Sequence, residues 1–156
     1  MRFSGFDWQV KHHIDHPCGP GPNLWHREHV KVVDDCLRLR IARRSRGWHC
    51  AEVETHQRLG FGLYQFKVNA LLNDFDQHAV LGLFTYPTPD VGDDGSNEID
   101  IEIAQFPHLP NSRLVFGVFP ASHTMTRSER GFTRRRRRVK PYTNHLPQLY
   151  RTPASL

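Results

Sequence analysis

Long apolar runs and helical periodicity are both missing from this chain of 156 residues. No stretch reaches the roughly 18 consecutive apolar residues that a membrane-spanning helix needs, so no membrane span is predicted. The first residues, Met1–Phe6, are not a basic start followed by an apolar core, so no signal peptide is predicted in this chain. Apolar residues instead recur at every second position, which predicts an all-β protein.

Cysteine is scarce, and its spacing is not that of a zinc site. The three cysteines are Cys18, Cys36 and Cys50, so at least one of them is unpaired. Cys36 and Cys50 flank a predicted hairpin whose tip lies near Arg43, which leaves a disulfide between them as an alternative to free thiols. The eleven histidines are scattered along the chain. His12, His13 and His16 lie in a predicted loop, where a metal role is an alternative that nothing else in the sequence supports.

A net positive charge is missing from most of the chain, although the whole chain has a net charge of +5. Residues 1–126 hold 12 Lys and Arg against 15 Asp and Glu, whereas residues 127–156 hold 9 against 1. A nucleic-acid partner is therefore not favoured for the domain itself. We expect residues 133–156 to form a basic, irregular tail. Its arginine run, Arg134–Arg138, is either a solvated segment or a binding site for nucleic acid or another anionic surface.

The most informative stretch that is present runs from Asn97 to Ile103 and alternates acidic and aliphatic residues. In a strand, Glu98, Asp100 and Glu102 share one face, and the three isoleucines between them share the other face, which we expect to enter a core. Like charges about 6.6 Å apart repel each other. Such a row persists where it is well solvated, binds a cation or carries out chemistry.

The spacing of the two glutamates favours chemistry. Their Cα atoms would lie about 13 Å apart along a strand, and inward-reaching side chains would bring the carboxyl groups to about 5 to 6 Å, as in retaining glycosidases. One carboxylate would then attack the sugar, and the other would protonate the leaving oxygen and later activate water. The alternatives are an exposed acidic strand and a set of calcium ligands. Asp90, Asp93 and Asp94, in the preceding loop, are further calcium candidates, although such clusters usually form turns.

Other strands are predicted from alternation and from flanking turn residues. Within the first of them, Trp8 is expected to anchor the core, and Trp48 is expected to contribute to packing. The predicted strands are Phe3–Val10, Val30–Val33, Leu37–Ile41, Trp48–Thr55, Phe61–Leu72, His78–Tyr86 and Leu114–Phe119.

The motif Glu98-Ile99-Asp100-Ile101-Glu102 resembles the signature of glycoside hydrolase family 16, in its uninterrupted lichenase-type form. Stretches in the same order as in that family support the resemblance: residues 19–25, 48–54, 60–64 and 81–86. The resemblance implies a concanavalin A-like β-sandwich (a jelly roll) over residues 1–132. It also implies Glu98 as nucleophile, Asp100 as the assisting aspartate and Glu102 as general acid/base.

The resemblance further implies a polysaccharide substrate, a β-linked glucan or a similar polymer cleaved with retention of configuration. Asn23, Trp25 and Tyr86 are the candidate substrate-binding residues, with a place at the edge of the core as the alternative for Trp25. Phe84 is expected in the core. No cofactor is implied beyond a structural calcium ion, the chain is expected to be a monomer, and the family is largely secreted.

The chain is short for such a sandwich, which often runs to roughly 200–250 residues. Strands that would complete the concave face are not recognisable after Phe132. We therefore expect an incomplete sandwich with an unpaired edge and an open apolar face. The alternative function is a catalytically inactive, carbohydrate-binding remnant of the same fold.

Overall fold

The computed structural model describes residues 1–70, 74–88, 90, 98–105, 114–118, 128–132 and 146–151. Within these ranges the chain forms mainly strands, with a 3₁₀ turn at Arg27–His29, so the all-β prediction is confirmed. No helix in the described part of the chain is long and apolar enough to cross a bilayer.

Thirteen strands are numbered in chain order within the described residues. They are β1 Arg2–Phe3, β2 Phe6–Val10, β3 His13–Cys18, β4 Asn23–Trp25, β5 Val30–Val33, β6 Cys36–Leu39, β7 Ala42–Arg44, β8 Gly47–Thr55, β9 Ala79–Phe84, β10 Ile99–Ile103, β11 Leu114–Val118, β12 Ser128–Phe132 and β13 Leu146–Arg151. The chain divides into two compact units. The first holds Met1–Gly62, His78–Leu81 and Leu146–Leu156, and the second holds Leu63–Gln77 and Gly82–His145.

Strand β8 is the centre of the first unit. It pairs in antiparallel fashion with β2, β7 and β13 and in parallel fashion with β4. Its residues from His49 to Val53 are all buried. A run that is buried on both faces is expected where a strand has neighbours along its edges and layers above and below it. Trp8 of β2 is 6% exposed, so its predicted place in the core is confirmed.

Two-residue turns close two hairpins of this unit. Asp34 and Asp35, between β5 and β6, have φ angles of 52° and 54°, as a type I′ turn requires. The predicted strands on either side of this turn are confirmed. Ser4 and Gly5 also have positive φ, and they divide the predicted strand Phe3–Val10 into the β1–β2 hairpin.

In the second unit, the last residues of β9 and the strands β10, β11 and β12 lie side by side in that order. Strand β11 pairs in antiparallel fashion with β10 on one side and β12 on the other. Val115 of β11 is 2% exposed, and Phe84 of β9 is 5% exposed. The strands predicted over His78–Tyr86 and Leu114–Phe119 are therefore confirmed as the shorter β9 and β11, and Phe84 has its predicted place in the core.

The structure contradicts the expectations for the segment Phe61–Leu72 and for Trp48. The segment predicted as a strand over Phe61–Leu72 forms none in its described part, residues 61–70, and Phe61 and Leu63 are largely exposed. Its alternating pattern begins between Gly60 and Gly62, which weaken strand pairing. Trp48 is 45% exposed, because it alternates with the buried His49 and therefore points to the open face of the β7–β8 hairpin.

The predicted irregular tail contains a strand, because β13 pairs with β8 through Gln148 and Leu149. The arginine run Arg134–Arg138 lies outside the described residues. No disulfide links any of the three cysteines, all of which lie in the described part of the chain, so the alternative of a Cys36–Cys50 disulfide is wrong. Register explains this result: Cys36 lies opposite Val33 of β5, whereas Cys50 lies in the strand that pairs with β4.

Candidate active site

The acidic row lies at the start and along one face of β10. Asp100 is 8% exposed, and Glu102 is half-buried two residues further along the strand. Glu98 is also half-buried and directly precedes β10, which begins at Ile99, within the predicted stretch Asn97–Ile103. The row therefore has a buried carboxyl at its centre and a more accessible one on either side.

The neighbouring strand β11 leaves space beside the centre of this row. In an antiparallel pair, residues directly opposite each other share a face. Asp100 lies opposite Gly117, which has no side chain, and Glu102 lies opposite the buried Val115. On the β11 side, Glu102 is therefore flanked by an apolar side chain, whereas Asp100 is not.

On the opposite face of β10, Ile99 is exposed and Ile101 and Ile103 are half-buried, contrary to the expectation that the isoleucines enter a core. Ile99 is 54% exposed, and its cross-strand partner Val118 is 50% exposed. Phe116, opposite Ile101, is 37% exposed. The most buried residue of β10 is Asp100, on the acidic face, whereas Glu102, Ile101 and Ile103 are all half-buried. Ile99, Val118 and Phe116 form an exposed apolar patch on β10 and β11.

Strand β9 places Tyr86 near the Glu98 end of the row. The backbone N–H of Thr85 donates to the carbonyl of Ile99 (2.9 Å), and the N–H of Ile99 donates to the Thr85 hydroxyl (2.8 Å). Tyr86 and Glu98 are the chain neighbours of these two residues. The Tyr86 ring is 43% exposed, and its edge meets Phe84 at a centroid distance of 5.4 Å. The structure thus brings Tyr86 to the same end of β10 as Glu98.

Asn23 and Trp25 belong to β4 of the first unit and are both buried, with Trp25 fully so. The Asn23 amide donates to the carbonyl of Pro20 (2.5 Å) and accepts from the Cys50 thiol (3.5 Å). The Trp25 indole donates to the carbonyl of Cys18 (3.1 Å). These contacts are structural, and the burial of Trp25 supports the alternative that it is a core residue.

Sequence reasoning missed a buried ion pair beside Trp25. Lys11 Nζ lies 2.9 Å from Glu52 Oε2, donates to the carbonyl of Gly19 (2.7 Å) and lies 4.4 Å from the centre of the Trp25 ring. Glu52 is 7% exposed, in the middle of β8. In the sequence, the signal for this ion pair is a glutamate between two apolar residues, Ala51 and Val53. Its partner, Lys11, is 41 residues away along the chain, so no local pattern identifies it.

Sequence reasoning also missed a cluster of four histidine rings in the first unit, formed by His12, His26, His29 and His49. These residues come from three separate segments, and their spacing matches no ligand motif. Within the described residues, no group of three or more His, Cys, Asp or Glu side chains is arranged to hold a metal ion. Of the calcium candidates, Asp90 is exposed, and Asp93 and Asp94 lie outside the described residues.

No protein-family model, curated protein or solved structure matches this chain. The resemblance to family 16 therefore depends on the residues of this sequence alone. The geometry that bears on it is the row of Glu98, Asp100 and Glu102 with Tyr86 at one end.

Proposed function

We propose that this chain is a retaining glycoside hydrolase, similar to family 16, that cleaves a β-linked glucan or a related polysaccharide. The observation that carries the proposal is the acidic row of β10, in which a buried Asp100 lies between the half-buried Glu98 and Glu102. A concanavalin A-like sandwich, incomplete at its C-terminal side, is the fold that we propose with it.

The burial of the three carboxyl groups supports a division of roles. A nucleophile and an acid/base must both reach the sugar, and Glu98 and Glu102 retain exposed surface. Asp100 is almost inaccessible, so it acts on its neighbours rather than on the substrate. We assign to it the positioning of Glu98.

In the proposed reaction, a Glu98 oxygen attacks the anomeric carbon while Glu102 gives its proton to the departing glycosidic oxygen. The C–O bond to the leaving sugar breaks as the glycosyl–Glu98 ester forms. Glu102, now a carboxylate, then takes a proton from water, and the hydroxide formed displaces Glu98. Two displacements at one carbon retain its configuration. Tyr86 provides a partly exposed ring near Glu98 on which a sugar can stack.

Reducing-sugar release by the purified chain tests this proposal, on mixed-linkage β-glucan, β-1,3-glucan, xyloglucan and agarose. We expect release on at least one polymer and less than a few per cent of that rate in Glu98→Gln, with little change in melting temperature. Glu54→Gln, the same substitution at a half-buried glutamate of β8, is the matched control and should keep the wild-type rate. A Glu98→Gln variant that keeps more than a few per cent of the rate would refute the assignment.

Azide distinguishes the two glutamates. With an activated aryl glycoside, whose leaving group needs no proton, Glu102→Ala should form the glycosyl enzyme normally and then stall. Azide, which needs no general base, should restore turnover and give a glycosyl azide with the configuration of the substrate. Failure of azide to accelerate Glu102→Ala would remove the acid/base role from Glu102.

A non-catalytic carbohydrate-binding protein is the second candidate. The observation that favours it is the exposure of Tyr86, since the other two predicted sugar contacts, Asn23 and Trp25, are buried. This candidate predicts saturable oligosaccharide binding, weakened by Tyr86→Ala, with no release of reducing ends from any polymer. If the chain releases no reducing sugar, isothermal titration calorimetry with oligosaccharides measures this binding.

A further inference from the structure

The histidine cluster, His12, His26, His29 and His49, joins three segments of the first unit. Ring centroids are 5.2 Å apart for His12 and His26, 5.3 Å for His26 and His29, 5.8 Å for His26 and His49, and 6.2 Å for His29 and His49. His29 and His49 are buried, at 2% and 3% exposure. Four titratable rings are therefore packed together where added charge would be poorly solvated.

His29 is the central connection of the cluster. Its Nε2 accepts from Arg44 Nε (3.0 Å), its Nδ1 lies 3.1 Å from the carbonyl of His49, and its own carbonyl accepts from the N–H of Arg40 (3.0 Å). A guanidinium can only donate, so Nε2 has no proton and the neutral ring is protonated at Nδ1, which donates to His49. His29 directly precedes β5 and Arg40 directly follows β6, so this residue attaches the β5–β6 hairpin to β7 and β8.

His26 and His12 also use a ring nitrogen as an acceptor. His26 is the N-cap of the 3₁₀ turn, and its Nδ1 accepts from the backbone N–H of Glu28 (3.2 Å). His12 Nδ1 accepts from the backbone N–H of Arg27 (3.3 Å). In His26 and His29, the next proton would go to the nitrogen that now accepts a hydrogen bond. Protonation therefore breaks that bond.

The charges around the cluster are mostly positive. Arg44 comes from β7, Arg40 from the end of the β5–β6 hairpin and Lys31 from β5, while Glu28 of the 3₁₀ turn supplies a carboxylate 2.7 Å from Arg44 Nη2. Burial, followed by the positive charge of Arg44, holds the pKa of His26 below its usual 6.5.

Burial also lowers the pKa of His29, and it outweighs the opposite effect of the hydrogen bond with His49. Arg44 lowers this pKa further.

We propose that the histidine cluster is a pH-operated latch, which holds the 3₁₀ turn and the β5–β6 hairpin on β8 at neutral pH and releases them in mildly acidic solution. In the released state His26 and His29 regain their usual affinity for protons, so that state binds more protons once the pH falls below about 6.5. The latch is therefore complete above about pH 6.5. It is lost as the pH falls from there through the lowered pKa values of His26 and His29 in the folded protein.

Residue-resolved hydrogen exchange at pH 7 and pH 5, corrected for intrinsic rates, tests the latch in the full chain. We expect protection of the Arg40, His29 and β5–β6 amides to fall about tenfold or more at pH 5. The β2–β8 pairing of the same unit, at Trp8, Gln9 and Val10, is the internal reference and should keep its protection. An equal change in both regions, or no change in either, would overturn the proposal.

A variant in which the three accepting rings are replaced tests the cause. In the triple variant His12→Asn/His26→Asn/His29→Gln, each amide oxygen takes the place of the accepting nitrogen, so the pH 5 release should disappear. His13→Asn/His16→Asn, in β3 outside the cluster, should release as the wild type does. Release that persists in the triple variant, or that is lost in the control, would contradict the latch. If the triple variant does not fold, His26→Asn alone should reduce the release.

Discussion

At the residue scale, the clearest dependence of the fold on a single side chain is at Lys11. Its ammonium meets Glu52, the carbonyl of Gly19 and the face of Trp25 at the same time. The Lys11 and Glu52 side chains are 22% and 9% exposed, so water replaces little of this interaction if the lysine is lost. A carboxylate that is buried without its partner is expensive, whereas exposed ion pairs contribute little.

We therefore expect Lys11→Met to lower the free energy of unfolding by about 2–3 kcal/mol, below the range for a fully buried pair because the lysine is partly exposed. Arg38→Met is the matched control, because the Arg38–Asp34 pair is exposed at 61% and 84% and should cost less than about 1 kcal/mol. Urea unfolding at pH 7 measures both variants. Equal losses in the two would mean that the buried pair has no special importance.

At this scale the sequence predicts patterns more reliably than it predicts burial. The alternation of Glu98, Asp100 and Glu102 follows from strand geometry and is present in the structure. Which face is turned inward depends on the neighbouring strands, and the isoleucine face is the exposed one at Ile99. The exposure of Trp48 is likewise not predictable from its own segment, because it depends on the register with Arg43 on β7.

At the scale of elements, the β5–β6 turn is a local feature that can be improved. Asp34 and Asp35 both have positive φ, a conformation that costs a residue other than glycine roughly 1 kcal/mol or more. We expect Asp35→Gly to raise the free energy of unfolding by roughly 0.5 kcal/mol, because the relief of strain exceeds the added chain entropy. Asp35→Val, with a branched Cβ, should lower it. A urea midpoint that does not rise for Asp35→Gly, or does not fall for Asp35→Val, would contradict the type I′ turn.

The open face of β10 and β11 predicts self-association. Ile99 and Val118 are a cross-strand pair at 54% and 50% exposure, and the exposed Phe116 extends their surface. The double variant Ile99→Thr/Val118→Thr keeps β-branched residues, so we expect less light scattering at high concentration and less than about 1 kcal/mol of lost stability. Val115→Thr on the buried face should cost about 1–3 kcal/mol instead. Unchanged scattering in the double variant would mean that another surface drives association.

Strands are predictable from the sequence where alternation continues without interruption and turn residues flank it. The strands on either side of Asp34-Asp35 and the strand over Ala79–Phe84 meet that condition. The segment from Phe61 has the alternation too, but it forms no strand in its described part. Pairing requires a partner edge, and the pattern of one segment contains no information about whether that edge exists.

At the scale of the whole molecule, the two compact units are not successive pieces of sequence. The first unit takes in Leu146–Leu156, from the region that composition predicts to be an irregular tail. Within that region β13 lies against β8, with Gln148 opposite Glu52 and Leu149 opposite Ala51. The high arginine content of residues 133–156 conceals this short strand, because composition averages over the segment and pairing depends on a few backbone groups.

Removal of residues 146–156 should therefore destabilise the first unit rather than trim a solvated tail. Without β13, the backbone of β8 at Ala51 and Glu52 loses its ladder partner, in a stretch whose side chains are buried. We expect the free energy of unfolding to fall by about 2 kcal/mol or more. Replacement of Arg134–Arg138 by serines, which changes charge and leaves β13 in place, is the control and should change it by less than about 1 kcal/mol.

The same two variants separate folding from binding. If the basic run binds nucleic acid, the serine variant should lose a salt-dependent affinity without losing stability, whereas the truncated chain should lose stability whether or not it binds. Urea unfolding and fluorescence anisotropy with a labelled oligonucleotide at two salt concentrations measure the two effects. A truncated chain that unfolds at the wild-type urea concentration would show that β13 does not support β8 in solution. The predicted irregular tail would then apply to residues 146–156 as well.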